Sequence, residues 1–360
     1  MTPKTPNDFV ILILSYGRPE FFATHTMELL NACNSQARRV VMLSDDDDTI
    51  DEYKKICGES NVFIYSKVEA EKMYDMDLMD CYWGKSLSRK ATVWGRNEQY
   101  RVAKALGYRW FVVLDDDYTG ASFRRPMYRK GNDKPYFPPF KEDMLAQVED
   151  GISIFDRCCI KSFELLDSVP WLYTIGYPQA GDFLGGAESK VFARSWIWKA
   201  MNVFFCDTEK EVRYYGRFND DVNSYVLNGR RGQMFFTLCH APCIIQPSTQ
   251  SSKGGITEMY KMFGTYIKSL MSAIANPGAV TVGCMGNICP RVHHHVHWDI
   301  SAPFVINEEC CKEKPLDYCK ECLHDISFTP DPSRTTSFLD PDAAPVEDCR
   351  LSGNAIDNFF

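Results

Sequence analysis

The feature that most constrains this chain is a continuous apolar run that ends directly on three carboxylates. Trp110 to Leu114 has the length of a strand buried on both faces of a parallel sheet, and Asp115, Asp116 and Asp117 follow it at once. Ligands of open α/β sheets bind beyond the carboxyl ends of the strands. Because alternate residues of an extended chain point the same way, Asp115 and Asp117 can face one Mg²⁺ or Mn²⁺ ion while Asp116 turns aside. The alternative is a solvated acidic turn after a strand.

The segments before this run alternate between strand and helix patterns. Apolar runs predict strands at Phe9–Leu14, Arg39–Leu43 and Asn61–Tyr65. Helical patterns cover about 20–33, 49–57 and 88–106. Strands that alternate with helices through short loops predict βαβ units, so the expected class is α/β with a parallel sheet.

Three loops would meet at the carboxyl edge of that sheet, namely residues 15–19, 44–48 and 115–117. Such a crevice can hold a nucleotide. The carboxylate of Asp46 or Asp47 can accept hydrogen bonds from ribose hydroxyls. The alternative is that one residue of this acidic loop only caps the helix that follows.

The composition is that of an ordinary soluble globular protein, with 45% apolar and 24% charged residues. The net charge of −8 gives no overall attraction to nucleic acid or anionic membrane, so phosphates would meet local basic patches only. We expect no signal peptide and no membrane span, because the apolar runs are too short. The 15 cysteines are odd in number and spread along the chain, which favours reduced thiols in a cytoplasm.

Over roughly residues 8–265, a series of motifs resembles the GT-A glycosyltransferases. The motifs are Ser15-Tyr-Gly-Arg-Pro19, the acidic loop after the second strand, Arg96-Asn97 in a basic helix, and Leu114-Asp-Asp-Asp117. With Gly185-Gly186, Asn219-Asp-Asp221 and His240, the set more narrowly resembles the TET-associated glycosyltransferases of bacteriophages. The resemblance implies a GT-A fold, which is Rossmann-like with a mostly parallel central sheet. It also implies sugar transfer from a nucleotide-sugar, a divalent metal on an Asp-x-Asp motif, and hydroxymethylated pyrimidines in DNA as acceptors.

The same resemblance assigns residues to roles. Asp115 and Asp117 would hold the metal, completed by His240 at the end of the apolar run 234–238. Ser15, Tyr16, Arg18 and Asp46 would line the nucleoside pocket, with Arg96 near the diphosphate. The predicted nucleotide-sugar site is completed by Asp116, Gly185, Gly186 and Lys253. The glycines permit close backbone approach, and the lysine adds positive charge. For His240 the alternative is an ordinary core or loop histidine.

A general base is needed as well, because the acceptor hydroxyl must lose its proton in an inverting enzyme. Asp220 or Asp221 resembles the carboxylate pair that opens a helix in inverting GT-A enzymes, and Glu188 is the other option. Adjacent carboxylates can raise one another's pKa, which suits a base. The alternatives are that the pair caps its helix and that the reaction retains configuration.

Two further segments indicate binding partners. Residues 122–140 carry five basic and five aromatic residues, as expected of a segment that binds a nucleic-acid strand or of an insertion that packs its own rings. In the C-terminal third, Cys319 and Cys322 with Cys310 or Cys311 have part of the spacing of a structural zinc site. Buried free thiols are the alternative reading.

We therefore predict a glycosyltransferase domain at 1–270, divided into a nucleotide-sugar half (1–118) and an acceptor half (119–270). A Cys/His-rich extension (271–327) and a weakly ordered tail (328–360) would follow. The predicted function is metal-dependent transfer from a UDP-sugar to 5-hydroxymethylcytosine or a related pyrimidine in phage DNA. The alternatives are a transferase acting on a protein or glycan hydroxyl, a metal-dependent phosphoesterase, and a non-catalytic nucleic-acid or protein adaptor.

Overall fold

The structure, a computed structural model, describes residues 1–74, 91–132, 135–140, 142–183, 196–201, 203–246, 266–285 and 291–301. The strands are β1 (Phe9–Leu14), β2 (Arg38–Ser44), β3 (Val62–Tyr65), β4 (Trp110–Asp115), β5 (Gly120–Arg124), β6 (Met127–Tyr128), β7 (Pro135–Tyr136), β8 (Pro139–Phe140), β9 (Val148–Glu149), β10 (Ile152–Ser153), β11 (Leu172–Gly176), β12 (Trp196–Ile197), β13 (Phe204–Asp207), β14 (Met234–Leu238), β15 (Cys243–Ile245), β16 (Val280–Met285) and β17 (Arg291–Val296). The helices are α1 (Pro19–Phe22), α2 (Glu28–Ala32), α3 (Ile50–Cys57), α4 (Lys67–Tyr74), α5 (Val93–Ala105), α6 (Ile154–Ser168), α7 (Asp220–Gly229), α8 (Ile267–Ala275) and α9 (Trp298–Ser301).

The central sheet has eight strands in the order β12-β14-β11-β13-β4-β1-β2-β3. Strands β4, β1, β2 and β3 are parallel to one another. Strand β13 is antiparallel to both β4 and β11, and β14 is parallel to β11. It follows that β14 runs in the same direction as β1 and β4, so the loops after these strands share one edge. The predicted α/β class with a mostly parallel, Rossmann-like central sheet is confirmed.

Burial on both faces explains why the strands read as unbroken apolar runs. All six residues of β1 are buried. Phe9 and Ile11 pack into one hydrophobic layer with Phe163 of α6. Val10 packs into the opposite layer with Trp94 of α5. A strand covered by helices on both sides has no solvent-facing position for a polar residue, which removes the alternating pattern.

The helical segment after β1 contains an irregularity that the sequence did not predict. A π-helical turn, Ala23–Met27, separates α1 from α2 within the predicted 20–33 helix. Such turns widen a helix locally and often occur at functional sites. Here the turn faces the acidic residues after β4, as described below.

The C-terminal elements begin before the predicted domain boundary at residue 270. Helix α8 runs across residue 270, and the hairpin β16–β17 packs against it. The division at 270 stays a prediction. None of the helices in the described part of the chain is long and apolar enough to cross a membrane.

Candidate active site

The backbone of the acidic turn after β4 is held by a buried threonine. Thr26, in the π-helical turn, donates its hydroxyl to the carbonyl of Asp115 at 2.7 Å and accepts from the amide of Tyr118 at 3.0 Å. These bonds fix the direction in which the three carboxylates leave the strand. No sequence pattern indicated Thr26, because a lone threonine within a helical pattern has no distinguishing period.

Asp116 faces the loop after β1. Its carboxylate accepts from Nε of Arg18 at 2.8 Å and also pairs with the second guanidinium nitrogen and with the hydroxyl of Ser15. Tyr53 completes the group, since its hydroxyl lies 2.6 Å from Ser15 Oγ and accepts from the amide of Arg18 at 3.1 Å. Three of the residues predicted to bind the nucleotide-sugar are thus bonded to one another, and together they fix the β1 loop against the acidic turn.

The loop after β2 is fixed in a similar way by Asp47. Its carboxylate accepts from the amide of Thr49 at 2.8 Å, in the turn that precedes α3, and α3 begins without a side-chain capping hydrogen bond at its N-cap, Thr49. Its second oxygen accepts from the amide of Gly17 at 2.8 Å. Gly17 has φ +64, a left-handed conformation that favours glycine. Of the two carboxylates considered for the ribose hydroxyls, Asp47 is buried and Asp46 is exposed.

Asp46 pairs with a lysine, Lys67, that no sequence motif indicated. Lys67, at the start of α4, places its Nζ 3.2 Å from Asp46 Oδ1 and 4.1 Å from the ring centroid of Tyr16. Burial lowers the pKa of Lys67, and the neighbouring Asp46 carboxylate raises it. An aromatic face, a cation and a carboxylate at the ends of β1 and β2 can meet a planar base by stacking and hydrogen bonding.

Arg96 connects the acidic turn to α7. Its Nη2 donates to Asp115 Oδ1 at 3.1 Å, and its Nε lies 2.8 Å from Asp220 Oδ2. The guanidinium is 4% exposed and lies over the ring of Phe204 at 4.9 Å. Burial alone would lower the pKa of Arg96, but the charges of Asp115 and Asp220 raise it above its usual range, so the side chain stays charged. The structure places Arg96 between two carboxylates; its contact with a diphosphate stays a prediction.

The two aspartates that open α7 differ in environment. Burial raises the pKa of Asp220, and the neighbouring Arg96 lowers it. Asp221 is half-buried, and burial together with the charge of Asp220 raises its pKa to about 6. Asp221 Oδ1 also accepts from the amide of Val222 at 2.7 Å. Of the two, Asp221 is the carboxylate that can exchange a proton near neutral pH.

Asp117 is buried in the turn and lies close to the negative charge of Asp115. Its Oδ1 accepts from Gln246 Nε2 at 2.9 Å. Burial and the charge of Asp115 raise its pKa to about 7. His240 follows β14 at the same sheet edge and is exposed, and partial burial of its ring lowers its pKa.

A divalent cation fits this donor set. The charge of Asp115 raises the pKa of Asp117, so a cation bound beside both would stabilise the ionised Asp117, and Mg²⁺ is commonly held by one or two carboxylates plus substrate phosphates. Within the described ranges, no group of three or more His, Cys, Asp or Glu residues could hold a metal on its own. The metal set of Asp115, Asp117 and His240 stays a prediction.

Several predicted site residues lie outside the described part of the chain. They are Gly185, Gly186, Glu188, Lys253, Cys310, Cys311, Cys319 and Cys322. Their predicted roles, including the structural zinc, stay predictions.

Comparison with known proteins gives the family. The sequence model of the TET-associated glycosyltransferases matches residues 9–255, which is more than half of the chain. The chain belongs to this family. The glycosyltransferase class expected from the motifs is thereby confirmed. Comparison with curated proteins found no match.

Three solved structures of sugar-transferring enzymes are distantly similar to this TET-associated glycosyltransferase. The galactosyltransferase LgtC, in complex with donor and acceptor sugar analogs, has a TM-score of 0.28 and 9% identity, covering 56% of this chain and 58% of LgtC. Glucosyl-3-phosphoglycerate synthase from Mycobacterium tuberculosis, in complex with Mg²⁺ and uridine diphosphate, has a TM-score of 0.36 and 8% identity, covering 81% and 87%. Mannosyl-3-phosphoglycerate synthase from Rubrobacter xylanophilus has a TM-score of 0.33 and 9% identity, covering 81% and 85%. These TM-scores are too low to carry an argument about substrates.

Proposed function

We propose that this chain is a metal-dependent, inverting glycosyltransferase that moves a sugar from a UDP-sugar to the hydroxyl of 5-hydroxymethylcytosine in phage DNA, in the host cytoplasm. One observation carries the proposal. The loops after β1, β2 and β4 share one sheet edge, and Arg96 joins that edge to the aspartate pair of α7. Donor-binding and proton-accepting groups therefore adjoin each other. Membership of the TET-associated family supports glycosyl transfer.

The donor half of the site would use side chains from three loops. Tyr16, Asp46 and Lys67 would hold the nucleoside, since they present a ring face and both signs of charge. Asp115 and Asp117 would hold Mg²⁺ or Mn²⁺, with His240 as the predicted further ligand. When bound, the metal supplies positive charge that stabilises the departing diphosphate.

On the acceptor side, we assign the general base to Asp221. The acceptor oxygen forms a bond to the anomeric carbon of the sugar, while the bond from that carbon to the diphosphate oxygen breaks and its electrons leave with UDP. The hydroxyl proton passes to the Asp221 carboxylate. A pKa of about 6 suits this step, because the carboxylate is mostly ionised at neutral pH yet basic enough to accept a proton. Asp220, paired with Arg96, orients the start of α7.

Strands β5, β6 and β7 carry features that support a nucleic-acid acceptor. Strand β5 begins at Gly120 and pairs with β15, which leads to Gln246 and its bond to Asp117. The β6–β7 hairpin that follows exposes Tyr128 and Tyr136, and Arg129 lies over the Tyr136 ring at 5.0 Å. Exposed rings beside a cation bind single-stranded or extruded bases by stacking.

A direct assay tests the proposal. The purified protein is incubated with Mn²⁺, a panel of UDP-sugars, and matched duplexes that contain either 5-hydroxymethylcytosine or cytosine. We expect a sugar adduct in the nucleoside mass spectrum of the first duplex only. Asp221→Asn should abolish the adduct, whereas Asp150→Asn, at a surface carboxylate 94% exposed, should leave it unchanged. No adduct with any UDP-sugar, or full activity of the Asp221 variant, would refute the assignment. Phosphate release without a sugar donor would point to the phosphoesterase alternative.

A further inference from the structure

The C-terminal hairpin lies beside the proposed base, outside the segment that matches the family. Asn219, directly before the aspartate pair, donates its amide to the carbonyl of Lys268 and to the hydroxyl of Ser272, both at 3.1 Å. The same amide nitrogen lies 3.4 Å from Nδ1 of His294 on β17. Helix α8 and the β16–β17 hairpin therefore pack directly against the start of α7.

This packing gathers basic side chains into a group that we call the hairpin cluster: Lys268, Arg291, His293 and His295. The ring centroids of His293 and His294 are 4.4 Å apart, and those of His293 and His295 are 6.2 Å apart. Arg291 and His295 are exposed, and the other two members are half-buried. A glycine makes room for one ring, because a Cβ at Gly283 would lie 2.7 Å from Nε2 of His295.

Electrostatics support the proximity of these groups to one another and to Asp221. Burial lowers the pKa of Lys268; the Arg291 charge lowers it further, and the Asp221 carboxylate raises it. Burial, Arg291, Lys268 and His295 all lower the pKa of His293. Like charges held together repel one another, so an anion bound among them would stabilise the arrangement.

The kind of anion follows from the location of the cluster. The chain as a whole carries a net charge of −8, so it has no general affinity for polyanions. The donor diphosphate would be bound at the ends of β1, β2 and β4. The cluster instead lies next to Asp221, where the acceptor must be held, and it extends along a strand. A nucleic-acid backbone presents phosphates at regular spacing, which can meet the charges of Lys268 and Arg291 and the ring N–H groups of the two histidines.

We propose that the hairpin cluster binds the phosphate backbone of the nucleic-acid acceptor and holds it beside Asp221. The inference rests on the proposed function, because it takes DNA as the acceptor. It assigns a role in acceptor binding to β17, for which the sequence indicated only a Cys/His-rich extension, and to Lys268 at the end of the predicted acceptor half.

The test measures DNA binding separately from turnover. Fluorescence anisotropy gives the Kd of a hydroxymethylated duplex from 50 to 200 mM salt for the full chain, for Lys268→Ala/Arg291→Ala, and for the control Lys55→Ala/Lys161→Ala on α3 and α6. Each lost phosphate contact should reduce the slope of log K against log salt by about 0.9, so the cluster variant should lose nearly 2 and the control nothing. Arg291→Lys keeps the charge and should bind as the wild type does. A thermal melt checks that each variant is folded.

The outcomes separate the possibilities. An unchanged slope in the cluster variant overturns the inference. A raised KM for the UDP-sugar with an unchanged DNA Kd overturns it in favour of the donor diphosphate as the bound anion. Cluster-dependent binding of a polyglutamate peptide, with DNA binding unaffected, overturns it in favour of an acidic protein partner. If the wild type transfers no sugar but binds DNA through the cluster, the proposed reaction fails while the binding surface stands.

Discussion

The backbone conformation of Asn219 predicts that alanine at this position destabilises the protein more than glycine does. Asn219 precedes the aspartate pair and has φ 51, in the left-handed region that few residues other than glycine and asparagine tolerate. Its amide makes two hydrogen bonds at 3.1 Å to α8. Replacement by alanine removes both bonds and adds backbone strain. Replacement by glycine removes the bonds but keeps the conformation accessible.

The expected changes in the free energy of unfolding follow from the lost hydrogen bonds and the backbone strain. Two buried hydrogen bonds contribute about 1 kcal/mol each, and a left-handed alanine costs about 1–2 kcal/mol. Asn219→Ala should therefore lower the free energy of unfolding by about 3–4 kcal/mol. Asn219→Gly should lower it by about 2–3 kcal/mol, because glycine avoids the strain but makes the unfolded chain more flexible. Alanine should thus be the less stable variant, which is the reverse of the order at an ordinary helical position.

Urea denaturation measures both variants against wild type, with Asn31 as the matched control. Asn31 lies in α2 and is exposed, so Asn31→Ala should be more stable than Asn31→Gly by about 1 kcal/mol. The slopes of the transitions must agree for the comparison to hold. If Asn219→Ala proves as stable as Asn219→Gly, the left-handed conformation before α7 is refuted. If neither variant is less stable than wild type, the bonds to α8 contribute nothing.

Three further predictions concern the site itself. Asp117→Asn should raise the melting temperature of the metal-free protein at pH 8 and remove its stabilisation by Mn²⁺. The folded-state pKa of Asp117, about 7, exceeds the unfolded value, so the ionised carboxylate destabilises the fold above pH 7 and the gain should vanish as the pH falls towards 4. For wild type, kcat/KM should rise with pH through about 6 as Asp221 ionises, and Asp221→Asn should lose roughly 10²–10⁴-fold in kcat at an unchanged donor KM. Lys67→Met should weaken UDP binding about tenfold in calorimetry, because it removes the cation that holds Tyr16 and Asp46 in place and a cation–π contact of this kind contributes about 1–2 kcal/mol, whereas Lys72→Met on the exposed side of α4 should bind UDP normally.

A feature of the molecule could be predicted from the sequence where its pattern lies within one short segment of the chain. Strands β1 and β4 were predicted within a residue because burial on both faces leaves an unbroken apolar run. The acidic turn was predicted for the same reason, since it ends such a run. Thr26, Lys67 and Gln246 were not, because each reaches the site as a single polar residue from an element whose pattern reports only its own packing.

The position of Arg96 could be predicted only in part from the sequence. Its motif position indicated a place near the diphosphate, but its depth and its second partner depend on how α7 packs against α5. Asp220 lies far along the chain from Arg96, and no spacing rule connects them. The π-helical turn that positions Thr26 is similar, since helix patterns do not distinguish it from regular α-helix.

The roles of the aspartates in the site follow from which of them pair with an arginine of the protein. Arg18 is paired with Asp116, and Arg96 is shared by Asp115 and Asp220, so these carboxylates are bound to fixed charges of the protein itself. Asp117 and Asp221 have their pKa values raised to about 7 and about 6. Groups in this state favour taking up positive charge, and the two can take it in different forms: Asp117 from a metal ion next to Asp115, and Asp221 from the proton of an acceptor hydroxyl. Arg96 pairs with Asp115 and Asp220 and so connects the acidic turn after β4 to the start of α7, which explains why a buried arginine lies at the centre of the site.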